Sequence, residues 1–356
     1  MWFLNLLLLI LVLGILILAH EVGHFLAAKK CGVHVYEFAL GMGPILYSKK
    51  GRDGVEYSIR AFPIGGFCSM AGEVSEDDEK IAKDKFLCNK TALEKIVILI
   101  AGVVCNVILA IVLLFGSALI WGYKGLDPIV GGLAEGYPMS EAVSINGDRK
   151  ITAGDRIIEI NNHKTGTWDK AQLVLALKHK GPYIFVIKHT DGTTDKYEIT
   201  PKLEKNDDGE ERQVFGLSLD TTKHTGFIAS LKYSFVKLGA VINSMGLVIA
   251  NLFTGNLSLN ALSGPIGIYG VLGESAKAGV QYVVYIVAFL SINLAFVNTL
   301  PFPAFDGGRI LFVIIEKIKG SPVNSRVENI FHTIGFILLM ILMVYITFKD
   351  ILRLFG

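Results

Sequence analysis

Four stretches of this chain carry no Asp, Glu, Lys or Arg: Met1 to Ala19, Ile96 to Ile120, Val280 to Phe305 and Asn329 to Phe348. Each is close to or above the ~20 residues an α-helix needs to cross the ~30 Å hydrocarbon layer of a bilayer, so the pattern predicts membrane-spanning helices. The first lacks the basic start of a signal peptide and its apolar core is too long for one, so it reads as a retained span. A further stretch, Phe227 to Phe253, is apolar but interrupted by Lys232 and Lys237. Basic residues on short loops resist translocation. Ten of them, from Lys29 to Lys90, separate the first two runs, and none precedes the first. The first helix therefore enters from outside and ends inside. A crossing at 227–253 would leave the next run ending outside, against the preference of Arg309, Lys317, Lys319 and Arg326. The expectation is four true spans, with 227–253 an interfacial helix or shallow hairpin.

Between Trp121 and Thr225 the pattern changes to that of a soluble domain. Gly154 to Asn161 reads as a turn and a strand, and Trp168 to Leu177 as a short helix with Thr167 as its N-cap. Tyr183 to His189 and Thr193 to Thr200 alternate around Asp191-Gly192, a strong hairpin signal. Such a domain is either a solubilising insert or a module that takes an extended peptide on a sheet edge. A second alternation, Val55, Tyr57, Ile59 and Ala61 against Glu56, Ser58, Arg60 and Phe62, predicts a strand in the loop between the first two spans.

With 52% hydrophobic and 19% charged residues, the chain is excluded from the purely soluble enzymes. A net charge of +2 with no basic stripe argues against nucleic acid as a partner. Cys31, Cys68, Cys88 and Cys105 avoid the soluble domain and show no zinc or disulfide spacing.

The chemistry begins at the inner end of the first span, at His20-Glu21-Val22-Gly23-His24. Imidazoles four residues apart share a helix face and can hold one zinc ion, and the Glu between them is placed to take a proton from water at the metal. This composition produces the pattern by chance about 0.016 times. A zinc site needs a third protein ligand. His34 comes too late, in a Gly- and Val-rich stretch. The better candidate is Asp306, in Asn298-Thr299-Leu300-Pro301-Phe302-Pro303-Ala304-Phe305-Asp306-Gly307-Gly308. Two prolines break the third span and two glycines let the backbone turn, so Asp306 is expected on an irregular segment beside the bundle. By the topology above it shares the cytosolic side with His24. His332 has no evident partner, and His163, His179, His189 and His224 read as surface residues of the soluble domain.

On these residues the chain resembles the site-2 proteases, zinc intramembrane proteases, and most closely the bacterial regulator-of-sigma-E type with a PDZ domain. The resemblance spans nearly the whole chain. It is carried by the H-E-x-x-H at 20–24, Gly65-Gly66-Phe67, Gly102 and Asn106 as G-x-x-x-N, Ser263-Gly264-Pro265-Ile266, and Asn293 and Asn298 with Pro301, Pro303, Asp306 and Gly307. Phe305 stands where the family often has Leu. Ala153-Gly154-Asp155-Arg156-Ile157 is similar to the G-D-x-I turn and strand of a PDZ domain, and only one such domain fits.

The resemblance implies a polytopic α-helical membrane protein with four transmembrane helices, a membrane-associated β-loop and an inserted α+β PDZ domain. The segments are span 1 at 1–28, the cytosolic β-loop region at 29–92, span 2 at 93–121 and an extracytoplasmic PDZ domain at 122–222. An interfacial helix and the S-G-P-I segment follow at 223–279, then span 3 with the third ligand at 280–308, a cytosolic loop at 309–328 and span 4 at 329–349. It implies Zn2+ on His20, His24 and Asp306, Glu21 as general base, and substrate contact by Asn293 and Asn298. On residues alone, these two asparagines could equally knit helices together, and Gly102 with Asn106 could serve close packing. The implied activity is cleavage of single-pass membrane proteins within their spans, in the bacterial cytoplasmic membrane. Substrates would be anti-sigma factors, pre-trimmed by another protease, or signal-peptide remnants. The other class open to this sequence is a silent membrane scaffold that binds tails through its PDZ domain.

Overall fold

The helix boundaries follow from local chemistry at the ends of the apolar runs. In the computed structural model, which describes residues 2–73, 81–177, 181–205, 211–220, 222–257 and 263–355, the helices are α1 (Trp2–Lys30), α2 (Ala92–Trp121), α3 (Pro138–Glu141), α4 (Trp168–Ala176), α5 (Phe227–Phe253), α6 (Pro265–Ala278), α7 (Val280–Thr299), α8 (Asp306–Lys319) and α9 (Ser325–Phe355). Gly32, at φ 69°, stops α1 while Val33 N–H donates to Ala28 O, a left-handed closure that a residue without a Cβ adopts cheaply. Thr91 and Glu94 start α2 with reciprocal bonds, Thr91 N–H to Glu94 Oε2 at 2.9 Å and Glu94 N–H to Thr91 Oγ1 at 3.3 Å. Pro301 keeps α7 from running on to Phe305. Among the described residues five helices are long and apolar enough to cross a membrane: α1, α2, α5, α7 and α9.

The residues group into two compact units. The first comprises Met1–Leu113 and Ser263–Arg353. Here α1, α6 and α7 pack through Val12, Leu16, Leu272 and Val287. At the start of α6, Asp350 of α9 accepts from the backbone N–H groups of Gly264 and Gly267, both at 2.9 Å, a cap supplied by a distant helix. The loop after α1 forms strands β1 (Val35–Lys50) and β2 (Glu56–Met70), which bend on each other. Leu40 pairs with Gly66 on one side and Ile59 on the other, and Ile59 in turn pairs with Tyr47. The segment Gly66–Met70 is thereby an edge. Arg60 braces the bend, bonding Glu37 and, at 2.8 Å, Gly43 O. Where β1 turns into β2, Lys29 and Tyr57 bond Asp53 and hold its carboxyl down at about 2.

The second unit comprises Leu114–Leu262 with Leu354–Gly356. Its strands are β3 (Tyr123–Lys124), β4 (Val130–Leu133), β5 (Arg156–Ile160), β6 (His163–Lys164), β7 (Tyr183–Lys188), β8 (Thr194–Ile199), β9 (Lys202–Lys205), β10 (Glu211–Val214), β11 (Leu217–Leu219) and β12 (Lys223–His224). A sheet in the order β6-β5-β7-β8 buries Ile157, Ile160, Tyr183, Phe185, Ile187 and Tyr197 against Ala171 and Val174 of α4. The expected N-cap is present, with Lys170 N–H donating to Thr167 Oγ1. α5 packs on this domain: Lys237 donates to both carboxylate oxygens of Asp169 at 2.8 Å, and Tyr233 stacks on Tyr123 at 4.3 Å.

One expectation for this unit is corrected. His189 is 3% exposed, not a surface residue, because it continues the inward phase of Tyr183, Phe185 and Ile187. His163 and His224 are exposed as expected, and His179 lies outside the described residues.

Candidate metal centre

Positions 20 and 24 stand one turn apart on α1, and both imidazoles are buried, at 8% and 6% exposure. Their Nε2 atoms lie 3.1 Å apart. Asp306 Oδ2 completes a triangle, 3.1 Å from His20 Nε2 and 3.4 Å from His24 Nε2. Four ligands at zinc bonding distances stand at tetrahedral corners about 3.3–3.5 Å apart, so these three atoms already outline one face of a zinc tetrahedron.

The proton positions fit a metal better than they fit one another. His24 Nδ1 is 2.8 Å from Ile98 O, an atom that only accepts, so Nδ1 carries the proton and Nε2 presents a lone pair. His20 Nδ1 faces the Asn106 amide at 3.4 Å, and Asn106 Oδ1 is buried without a partner among the described residues. The amide orientation that satisfies both groups has Oδ1 accepting from His20 Nδ1–H. Two lone pairs and the carboxylate oxygen Asp306 Oδ2, itself buried without a hydrogen bond, then converge on one point. Acceptors crowd together in this way only around a cation. Among the described residues, no other group of three His, Cys, Asp or Glu is arranged to hold a metal. Burial, reinforced by Glu21 and Glu73, pushes the nearby Cys68 thiol up to about 12, so it stays protonated and does not compete.

Glycines create the room. A Cβ on Gly102 would come within 2.5 Å of His24 Nε2 and 2.7 Å of His20 Cε1. A Cβ on Gly23 would overlap the Ala101 backbone, so α1 and α2 cross backbone to backbone here. Gly102 thus does more than the close packing its spacing suggested, since any side chain there would fill the site.

Asp306 opens α8, where its charge also suits the positive end of the helix dipole. Only the Leu300–Phe305 turn before it is irregular, which corrects the expectation for Asp306 itself. Gly307 and Gly308 permit α8 to fold back so tightly that a Cβ would overlap Leu300 O or Phe302 O. Glu21 sits between the two histidines, makes no hydrogen bond among the described residues, and has its Cγ 3.6 Å from where a Gly66 Cβ would be, which brings the β2 edge beside it. Asn298 is buried, with Nδ2 3.5 Å from His20 Nε2. Asn293, about 7.5 Å further back along α7, keeps a buried Oδ1 without a partner among the described residues.

Two features escaped the sequence reading. Arg309, one turn after Asp306, pairs with Glu73 just beyond β2. His332 does have a partner: its Nδ1 accepts from Ala304 N–H at 3.0 Å.

Comparison with known proteins gives the family of the chain. The description of Peptidase family M50 matches residues 8–342. The chain belongs to peptidase family M50. It is 36% identical over 352 residues to a Clostridium acetobutylicum protein provisionally named a zinc metalloprotease, covering 99% of this chain and 98% of that one. It is 30% identical to the zinc metalloprotease RasP of Bacillus licheniformis and to the regulator of sigma-W protease RasP of Bacillus subtilis, each covering 97% of this chain and 98% of the relative. This M50 peptidase is a zinc metalloprotease of the site-2 type, and its helices are those of a polytopic membrane protein.

Proposed function

We propose that this M50 peptidase cleaves single-pass membrane proteins within their transmembrane segments, using zinc on His20, His24 and Asp306. The observation that carries the reading is the triangle of buried, proton-free donors at the end of an apolar helix. Zinc, when bound, supplies Lewis acidity toward water and toward a peptide carbonyl.

Glu21, free of hydrogen bonds among the described residues, accepts the proton of the attacking water and returns it to the leaving amine. Asn298, beside His20, and Asn293, with its unpaired Oδ1, offer hydrogen bonds to an unwound substrate backbone. A peptide bond within a helix is shielded by its own hydrogen bonds and must be extended first. The Gly66–Met70 edge, unpaired on its outer side among the described residues and lying beside Glu21, suits an added strand.

In this reading the inserted domain is a single PDZ module outside the cytosol, in a bacterial cytoplasmic membrane crossed four times. The ion pair of the buried Lys237 with the half-buried Asp169 supports an α5 that rests on that domain instead of crossing. The sigma-W name of the Bacillus subtilis relative supports a role in regulated proteolysis of anti-sigma-factor-like substrates, with signal-peptide remnants as a second class.

The test is cleavage of a single-pass substrate by purified protein in proteoliposomes. Glu21→Gln is expected to lose about 10²–10⁴-fold in rate while still binding zinc. Full activity in Glu21→Gln, or equal cleavage of short polar peptides, would sink the proposal.

A further inference from the structure

The turn that presents Asp306 has little of its own to hold it. Its internal bonds are Phe302 N–H to Leu300 O at 2.7 Å and a long one, Phe305 N–H to Phe302 O, at 3.3 Å. Pro301 and Pro303 have no N–H to give. Ala304 sits at φ 72°, a left-handed conformation its Cβ opposes and which persists only where the surroundings impose it.

The imposing element is α9. His332 Nδ1 takes the Ala304 N–H at 3.0 Å, and Gly335, one turn on, lies so close to Pro303 that a Cβ there would overlap the proline ring. Because a backbone N–H only donates, Nδ1 must be the unprotonated nitrogen and Nε2 carries the hydrogen. Nε2 is buried with no hydrogen-bond partner among the described residues. The ring therefore leaves one nitrogen unsatisfied in order to serve the turn, and Phe312 and Phe331, with centroids 5.8 and 5.7 Å away, wall it in.

We infer that His332 is a positioning residue of the zinc site: by holding Ala304 N–H it locks the turn that aims Asp306 at His20 and His24. The inference rests on the reading of those three residues as the zinc ligands.

The experiment compares full-length variants purified in detergent by two measurements. One is zinc affinity, from competition with a chromophoric chelator; the other is the visible spectrum of the Co2+-substituted protein. His332→Asn keeps an acceptor where Nδ1 stood, His332→Gln moves it to the Nε2 position, and His332→Leu removes it. Gln and Leu are expected to weaken zinc binding about 10-fold or more and to alter the Co2+ spectrum, with Asn close to the unaltered protein. Ala304→Gly added to His332→Leu is expected to recover affinity, because glycine adopts the turn conformation without support. Unchanged affinity and spectrum in Gln and Leu, a loss in Asn equal to that in Leu, or no recovery with Ala304→Gly would overturn the inference. Asp306→Asn serves as the control: if it too leaves affinity and spectrum unchanged, the ligand assignment has failed, and this inference with it.

Discussion

Two buried histidine clusters in this protein obey opposite rules. In the inserted domain, His189 donates from Nδ1 to Asp155 Oδ2 at 2.8 Å and meets the Tyr197 hydroxyl with Nε2 at 3.0 Å. Asp155, fully buried, also accepts from Thr152 N–H at 2.8 Å and Thr190 N–H at 3.3 Å. Burial and the carboxylates of Asp195 and Asp155 push Tyr197 up to about 12, so its hydroxyl remains a donor. Both ring nitrogens of His189 and both oxygens of Asp155 have hydrogen-bond partners in that cluster. Around His20, His24 and Asp306 the atoms that meet are all acceptors. Burial alone therefore does not mark a functional histidine. A self-satisfied network holds a fold together, whereas convergent, unsatisfied acceptors await a ligand.

The contrast can be broken in order of expected effect. His189→Leu should destabilise the inserted domain most, by about 3 kcal/mol, because it removes the Nδ1–H donor from the buried Asp155 carboxylate. Hydrogen exchange in full-length protein should register the loss across β5, β7 and β8 while zinc content stays the same. A fall in zinc binding would mean that the two clusters are not independent. Gly102→Ala should cost about 2–3 kcal/mol in zinc affinity, roughly a hundredfold, with little effect on the inserted domain, since its new Cβ presses on both imidazoles. Retained affinity there would show that the imidazoles have room to spare. Smallest is Asn106→Ala, which removes the amide facing His20 Nδ1 and should weaken zinc about 10-fold in the same titration. Unaltered affinity would return Asn106 to a packing role.

Much of the site was legible because membrane spans make polar residues conspicuous. The His20-Glu21-Val22-Gly23-His24 pattern and Asp306 after two prolines stand out in runs otherwise free of charge. Spans and hairpin were readable for the same reason: their periods are long or sharply punctuated. What stayed hidden depends on neighbours far away in sequence. Gly102 looked like a packing glycine, since its role is set by imidazoles on another helix. His332 seemed partnerless because its partner is a backbone N–H exposed only by the unusual Ala304 conformation. His189 was misread, although a signal existed: it keeps the odd-numbered inward phase of its strand right up to the turn. The short α6 and α8 were missed because glycine and proline punctuate them and neither is long enough to register as a span.

Asp306 also has a consequence in time. The histidine pair lies within the first 24 residues, whereas the third donor lies near the far end of a 356-residue chain. At about 5–20 residues per second, a ribosome exposes the first two donors tens of seconds before the third exists. With the proposed ligand set, a nascent chain would therefore hold an incomplete site until α7 and the first residue of α8 are made, and would be unable to cut its neighbours before then.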